Sequence, residues 1–135
     1  MIDVEADVFS YVATALRSEY ISPPIYVASV KKRTPSTFPA VQIVETSNVI
    51  STDTSDSARL ENHADLMYEV HVYSNLSSGA KKQAKEIMSF VDERFKELGF
   101  VRQLCEPIDN GDSSIYRYVA RFIGRASVDK VIYQR

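Results

Sequence analysis

The spacing of apolar residues along the chain predicts two amphipathic helices. In the first, from Val4 to Leu16, apolar side chains recur at steps of three and four residues, which places them on one helix face. Asp3 is the expected N-cap, because a carboxylate there accepts N–H groups of the first turn. The second helix has the longer apolar stripe, made of Ala80, Ala84, Ile87, Met88, Val91, Phe95 and Leu98.

Local signals mark both ends of the second helix. Ser77 or Ser78 is the expected N-cap, since a serine hydroxyl also accepts first-turn N–H groups. Gly99 stands where a left-handed C-terminal cap is needed, and Phe100 can fold back on the last turn, as that motif prefers. The sequence therefore predicts a helix that begins at a serine and ends at a glycine.

Runs of β-branched and aromatic residues predict the strands. They cover residues 25–30, 40–45, 66–73, 101–106 and 115–126, with a further short edge strand at 131–133. The dipeptide Asn110-Gly111 suits the turn between the last two long strands. The order of elements predicts an α+β fold, a mainly antiparallel β-sheet with two helices packed on one face. The length of 135 residues suits a single domain over 1–135.

A polar segment at about 46–65 interrupts this pattern. It is rich in Ser, Thr, Asn and Asp, and a structureless connection of this length is uncommon inside a compact domain. Two interpretations stay open, a mobile loop and a projecting hairpin arm that extends the flanking strands. The acidic residues Asp53, Asp56 and Glu61 make the segment a candidate interface, which would become ordered on contact with a partner protein.

The longest predicted strand has two different faces. Tyr116, Tyr118, Ala120 and Phe122 alternate on the face expected to meet the helices, whereas Arg117, Arg121 and Arg125 alternate with aliphatic residues on the other. Arginine is enriched at protein interfaces, so these three arginines are candidate interface residues. The alternative is a solvated face on which arginine stems shield the aliphatic side chains.

The charge balance argues against partners that are recognised by a strong overall field. The chain has 16 Lys and Arg against 18 Asp and Glu, with a pI near 5.7. We therefore expect no membrane and no sequence-specific nucleic acid among its partners. The first residues are acidic, and no apolar run approaches the ~20 residues that span a bilayer, so we expect a protein made and kept in the cytosol.

Residues suited to catalysis or metal binding are sparse. Cys105 is the only cysteine, which excludes an intramolecular disulfide, and no glycine-rich elbow marks it as a nucleophile. His63 and His71 lack zinc-site spacing, and residues 109–112 lack the ligand pattern of a calcium loop. The four glycines are too scattered to form a phosphate-binding loop. We expect no enzymatic activity, no cofactor and no metal.

Several segments together resemble tail-terminator (tail-completion) proteins of long-tailed bacteriophages or prophages. They are Phe38-Pro39-Ala40-Val41-Gln42-Ile43 before the polar segment, Tyr68-Glu69-Val70-His71-Val72-Tyr73-Ser74-Asn75, the helix end Leu98-Gly99-Phe100, and the strand Ile115-Tyr116-Arg117-Tyr118-Val119-Ala120-Arg121-Phe122. These segments are structural signatures spread over most of the chain, and the family supplies no catalytic residues to carry over.

The resemblance implies a virion protein that is made in the bacterial host cytoplasm and resides in the tail. Such a protein forms a homo-oligomeric ring, typically a hexamer, on the head-proximal end of the tail tube. It stops tube growth and presents a surface to the head, so its expected partners are itself, the tail tube protein and the head connector protein. Two alternatives stay open: a head-side connector (head completion) protein, and a small ligand-binding regulatory domain.

Overall fold

Two helices and six strands make up the part of the chain that the computed structural model describes, which is residues 2–21, 25–29, 37–50, 63–108, 114–127 and 132–133. In chain order they are α1 (Glu5–Glu19), β1 (Tyr26–Ala28), β2 (Ala40–Ile50), β3 (His63–Ser74), α2 (Ala80–Glu97), β4 (Val101–Ile108), β5 (Tyr116–Ser127) and β6 (Ile132–Tyr133).

The strands form one sheet in the order β1-β2-β3-β5-β4, and β6 pairs with the last residues of β5. Among the described strands, β1 pairs with β2 in parallel and the other pairings are antiparallel. The predicted α+β class with a mainly antiparallel sheet is therefore confirmed. The two longest strands, β3 and β5, pair side by side over their full length at the centre.

Both helices bury their apolar stripes against the sheet, as the periodicity predicted. The helical residues buried there are Val8, Val12, Ala13, Leu16, Ala84, Ile87, Met88, Val91 and Phe95. Beneath α2 the ring of Phe95 stacks on that of Phe122 with 4.4 Å between centroids. Phe100 meets the rings of Tyr68 and Phe95 edge-on at 5.3 and 5.4 Å. Neither α1 nor α2 is long and apolar enough to cross a bilayer, within the residues that the structure describes.

The C-terminal end of α2 follows the prediction, whereas both predicted N-caps are wrong. Val4, and not Asp3, occupies the N-cap position of α1, with no side-chain cap; Oδ1 of Asp3, one residue earlier, accepts the N–H of Glu5 at 3.1 Å. The serine cap predicted for α2 is wrong: Gly79, with φ of +85°, occupies the N-cap position and there is no side-chain cap. At the other end Gly99 has φ of +98°, and the Phe100 N–H donates to the Phe95 carbonyl at 3.0 Å, which confirms the left-handed cap.

Strands β2 and β3 extend into the segment that the sequence marked as polar. Asn48 pairs with Leu66 and Ile50 with Ala64, after a bulge between Glu45 and Ser47. Ala64 and Leu66 are fully buried, so this part of β3 contributes to the core. The candidate residues Asp53, Asp56 and Glu61 lie outside the described residues, as does the predicted Asn110-Gly111 turn.

Candidate interface on the outer sheet face

The sheet face opposite the helices, here called the outer face, is built mainly by β3 and β5. Because side chains alternate along a strand, residues that lie between the core positions of β3 and β5 point to this face. They are Asp65, Met67, Glu69, His71 and Tyr73 on β3, and Arg117, Val119, Arg121, Ile123 and Arg125 on β5. The structure thus brings the three predicted arginines together in one row, with about 13 Å between neighbours.

Two of these arginines are paired with carboxylates directly across the sheet. Arg125 Nε lies 2.9 Å from Asp65 Oδ1, and Arg121 Nε lies 3.2 Å from Glu69 Oε2. In both cases the antiparallel register places the two residues opposite each other. Arg121 still exposes 44% of its side chain, whereas Glu69 exposes 13%. These guanidinium groups are therefore positioned by their own chain at the surface.

The third arginine, Arg117, binds a buried histidine. Its Nε and Nη2 lie 3.1 and 2.9 Å from Nδ1 of His71, which is almost fully buried. A guanidinium can only donate, so Nδ1 is the acceptor and the ring proton sits on Nε2. Nε2 then donates to Oε1 of Glu69 at 2.6 Å. Arg117 also lies over the ring of Tyr73, 5.4 Å from its centroid.

These contacts join into one polar network across three strands. Glu69 accepts from both His71 and Arg121, so it links the two arginine sites. On the other side the Tyr73 hydroxyl donates to Oε1 of Gln42 on β2 at 3.3 Å. Because each side chain is held by another, the network keeps the outer face in a defined shape before any partner binds.

Aliphatic side chains fill the spaces between these polar groups. From the strand registers they are Val44, Val49, Met67, Val101, Leu104, Ile108, Val119 and Ile123, of which Val119 is buried. Val49 and Ile108, near opposite edges of the sheet, are 58% and 38% exposed. The combination of exposed aliphatics with positioned arginines is the composition of a protein contact surface.

Sequence reasoning found the arginines but missed the groups that hold them. Asp65, Glu69 and His71 lie on the strand beside β5, and 60 residues separate Asp65 from Arg125. The available signal was the alternation of Asp65, Glu69 and Tyr73 at four-residue steps, the same step as the arginines. That match becomes meaningful only once the two strands are known to pair.

A second electrostatic feature lies where α1 begins. Burial raises the pKa of the Glu45 carboxyl and outweighs the Tyr68 hydroxyl, which donates to it at 3.0 Å; the neighbouring Glu5 and Asp3 raise the pKa further. Burial and the nearby Glu45 carboxyl also raise the pKa of the Tyr68 hydroxyl. The carboxyl groups of Asp3, Glu5 and Glu45 therefore lie near one another where α1 begins.

The cleft between α2 and the strands β4 and β5 is small. It has a volume of about 130 Å³ and is lined in part by Lys85, Arg102, Cys105 and Tyr118. A hydrogen bond with Cys105, assisted by burial, raises the pKa of Tyr118 to about 12. Among the described residues no group of three or more His, Cys, Asp or Glu side chains has the arrangement of a metal site.

Comparison with known proteins does not assign this chain to a family. No protein-family model matches it, and a search of curated proteins finds no match. Its function is therefore inferred from its own surface, together with the motifs described above.

Proposed function

We propose that this chain is a structural virion assembly protein of a long-tailed bacteriophage or prophage. It forms a homo-oligomeric ring, a hexamer, that caps the tail tube, ends tail elongation and provides the joining surface for the head connector protein. It is made in the host cytoplasm, resides in the virion tail and has no catalytic role. The observation that carries this proposal is the outer face, where positioned arginines stand among exposed aliphatic side chains.

The outer face has the properties of a binding surface prepared in advance. Asp65, Glu69 and His71 hold the three arginines, so less side-chain freedom is lost when a partner docks. Arginine stems and aliphatic residues supply apolar area, while guanidinium N–H groups supply directional hydrogen bonds. We assign this face to contact with another subunit of the tail, the tube protein.

The resemblance supports the same surface. Two of the segments that carry it, Tyr68 to Asn75 and Ile115 to Phe122, lie largely in β3 and β5, the strands that build the outer face. A third, Leu98-Gly99-Phe100, forms the left-handed end of α2 over Tyr68. These segments therefore form adjoining parts of one structural unit.

The two alternatives differ in how well the structure favours them. A head-side connector would use the same kind of surface on a different partner, so binding to tail tubes or to capsids distinguishes it. A ligand-binding domain would need a pocket of about 300–1,000 Å³. The cleft between α2 and the sheet, at about 130 Å³, is below this range, whereas the open depression beside Lys81, Lys82 and Lys85, at about 550 Å³, is within it. A thermal-shift screen with metabolites and metals therefore tests this alternative.

Tail-tube assembly in vitro tests the proposal. The tube protein of the same phage or prophage would be polymerised with and without this chain, and tube lengths and ends examined by electron microscopy. We expect shorter tubes that carry a ring at one end. Tubes that elongate unchanged, together with no binding to preformed tubes, would refute the proposal; binding to capsids instead would favour the head-side connector.

A matched pair of variants then tests the outer face. Arg121→Glu reverses a charge opposite Glu69 and should weaken tube binding at least tenfold. Lys96→Glu makes the same change in charge on α2, at a side chain that is 68% exposed and distant from the outer face, and should bind like the wild type. An equal loss of tube-binding affinity in both variants would indicate a general effect of net charge. The outer face would then not be the binding surface.

A further inference from the structure

Arg121 lies in the middle of the outer face. Along β5 its neighbours on this face are Val119 and Ile123, two residues before and two residues after it. Glu69 lies opposite Arg121 on β3, and Leu104 lies opposite it on β4. The side chain of Arg121 is therefore flanked by a carboxylate on one neighbouring strand and by aliphatic groups on its own strand and the other neighbour.

The guanidinium of Arg121 is held at one nitrogen and open at the other two. Nε donates to Oε2 of Glu69 at 3.2 Å. Among the residues that the structure describes, the terminal nitrogens Nη1 and Nη2 have no hydrogen-bond acceptor. The side chain is 44% exposed, so this terminal edge of the guanidinium lies at the surface. Glu69 contacts it from the Nε side and leaves the terminal edge available.

The carboxylate that holds Arg121 is itself fixed. Glu69 is only 13% exposed, and its second oxygen, Oε1, accepts from Nε2 of the buried His71 at 2.6 Å. The register of β3 and β5 places Glu69 directly opposite Arg121. Because both the strand position and the carboxylate are fixed, the guanidinium loses little freedom when a partner binds its open edge.

The other two arginines of the row are less accessible. Arg117 donates to the buried His71 through both Nε and Nη2. Arg125 is 25% exposed, and its Nε lies 2.9 Å from Oδ1 of Asp65. Arg117 and Arg125 are both partly buried, whereas Arg121 is exposed. Arg121 is therefore the arginine of the outer face that a partner reaches most directly.

A partner that covers Arg121 has to supply acceptors for its terminal N–H groups. A guanidinium that loses its contact with water and gains no acceptor is strongly unfavourable. Nη1 and Nη2 lie side by side in a plane, and their spacing matches the two oxygens of a carboxylate. A backbone carbonyl offers one neutral oxygen and matches this edge less well. The geometry therefore favours a carboxylate as the group that binds here.

We propose that the tube protein binds the outer face through an Asp or Glu carboxylate, which accepts from Nη1 and Nη2 of Arg121 as a bidentate pair. This inference rests on the proposed function, because it names the chemical group that the tail tube presents to this face. Leu104 and Ile123, which are partly exposed, pack on the partner and exclude water from the pair. A charged group enclosed by apolar contacts is the usual arrangement of a binding hot spot.

A substitution that keeps the charge tests the bidentate pair. Arg121→Lys retains a positive charge but replaces the planar fork with a single ammonium group. Its binding to preformed tail tubes of the same phage or prophage, measured by co-sedimentation, should be at least tenfold weaker than that of the wild type. Arg125→Lys is the matched control in the same row and should bind within about threefold of the wild type. Equal losses in the two variants would overturn the special role of Arg121.

A scan of the tube protein identifies the carboxylate. Each exposed Asp or Glu of the tube protein is replaced in turn by Asn or Gln, and the variants that still form tubes are tested. One replacement should weaken binding of the wild-type chain at least tenfold. The same replacement should change the binding of Arg121→Lys by less than threefold, because the pair is already broken in that variant. Losses that multiply for every tube variant would overturn the proposal.

A phosphate group is the other anion whose geometry fits a guanidinium fork. Fluorescence anisotropy with single-stranded and duplex DNA oligonucleotides at physiological salt tests it. We expect no oligonucleotide binding that depends on Arg121, since the chain carries a formal net charge of −2. Oligonucleotide affinity that falls tenfold in Arg121→Lys, while tube binding stays unchanged, would overturn the proposal in favour of nucleic acid.

The outcomes separate this inference from the proposed function. Arg121→Lys should melt like the wild type, because an exposed ion pair contributes little to stability. If the wild-type chain caps tubes and Arg121→Lys caps them equally well, the carboxylate pair is overturned and the capping role stands. If the wild-type chain neither binds nor caps tubes, the capping role itself is refuted.

Discussion

Arg117 donates to Nδ1 of His71 through both Nε and Nη2, at 3.1 and 2.9 Å, and thereby fixes the tautomer of a buried imidazole. The consequence extends beyond this pair, because the proton on Nε2 then links His71 to Glu69, and Glu69 holds Arg121. A buried hydrogen-bond network therefore positions the arginine side chains of the surface that is proposed to bind the tail tube.

Replacing Arg117 should destabilise the fold more than replacing Arg121. Arg117→Met removes both of these donors to a buried nitrogen, which should cost about 1–3 kcal/mol of unfolding free energy. Arg121→Met removes a half-exposed ion pair and should cost about 0–1 kcal/mol. Urea unfolding followed by circular dichroism measures both. Equal losses would mean that the His71 network does not stabilise the sheet.

A methyl group at position 124 should disturb the aromatic core. The Cβ of alanine there would lie 2.7 and 2.8 Å from Cδ1 and Cε1 of Phe100, which itself packs on Tyr68 and Phe95. We expect Gly124→Ala to lower the unfolding free energy by about 1–3 kcal/mol. In a Phe100→Leu background the same change should cost less, since the ring is absent. Additive losses would show that the contact with Phe100 is not the source of the cost.

Stability should depend on pH through Glu45. Its pKa is raised in the folded state, so the folded chain holds this proton more tightly than the unfolded chain does. The contribution therefore favours folding at low pH and is lost as the pH rises above the ordinary value of 4.5 and through the raised pKa. Glu45→Gln, which keeps an acceptor for the Tyr68 hydroxyl, should raise the melting temperature at pH 7 and have little effect at pH 3. The same gain at both pH values would contradict this account.

A single charge reversal in α2 should stabilise the fold. Lys81→Glu removes a positive charge from the positive end of the helix and places a carboxylate four residues before Lys85. Both effects are favourable, and we expect a gain of about 1 kcal/mol in unfolding free energy. Lys96→Glu, in the last turn of the same helix, should instead lower stability. Thermal unfolding compares the two variants, and a loss of stability in Lys81→Glu would mean that a positive charge in the first turn of α2 is not unfavourable.

Sequence reasoning was reliable where the determining contacts are local. The stripe of α2 and the glycine stop at Gly99 depend on residues within a few positions, and the structure confirms both. The predicted serine cap failed for an equally local reason, because Gly79 adopts the left-handed conformation that a serine avoids and takes the N-cap position itself. The extension of β2 to Ile50 agrees with one of the two interpretations of the polar segment, that of flanking strands which run on; the sequence did not decide between them, because polar residues in a paired strand resemble those of a loop.

The sequence by itself determined the secondary structure, the α+β class and the presence of three arginines on one face of a strand, because these follow from side-chain periodicity. Only the tertiary structure decided that Arg121 and Arg125 meet Glu69 and Asp65, and that Tyr11 of α1 meets Glu97 of α2. Those relationships depend on which strands pair and how the helices cross. Strand pairing and helix packing both depend on contacts between residues that are dozens of positions apart in the sequence, so a local sequence pattern does not reveal them.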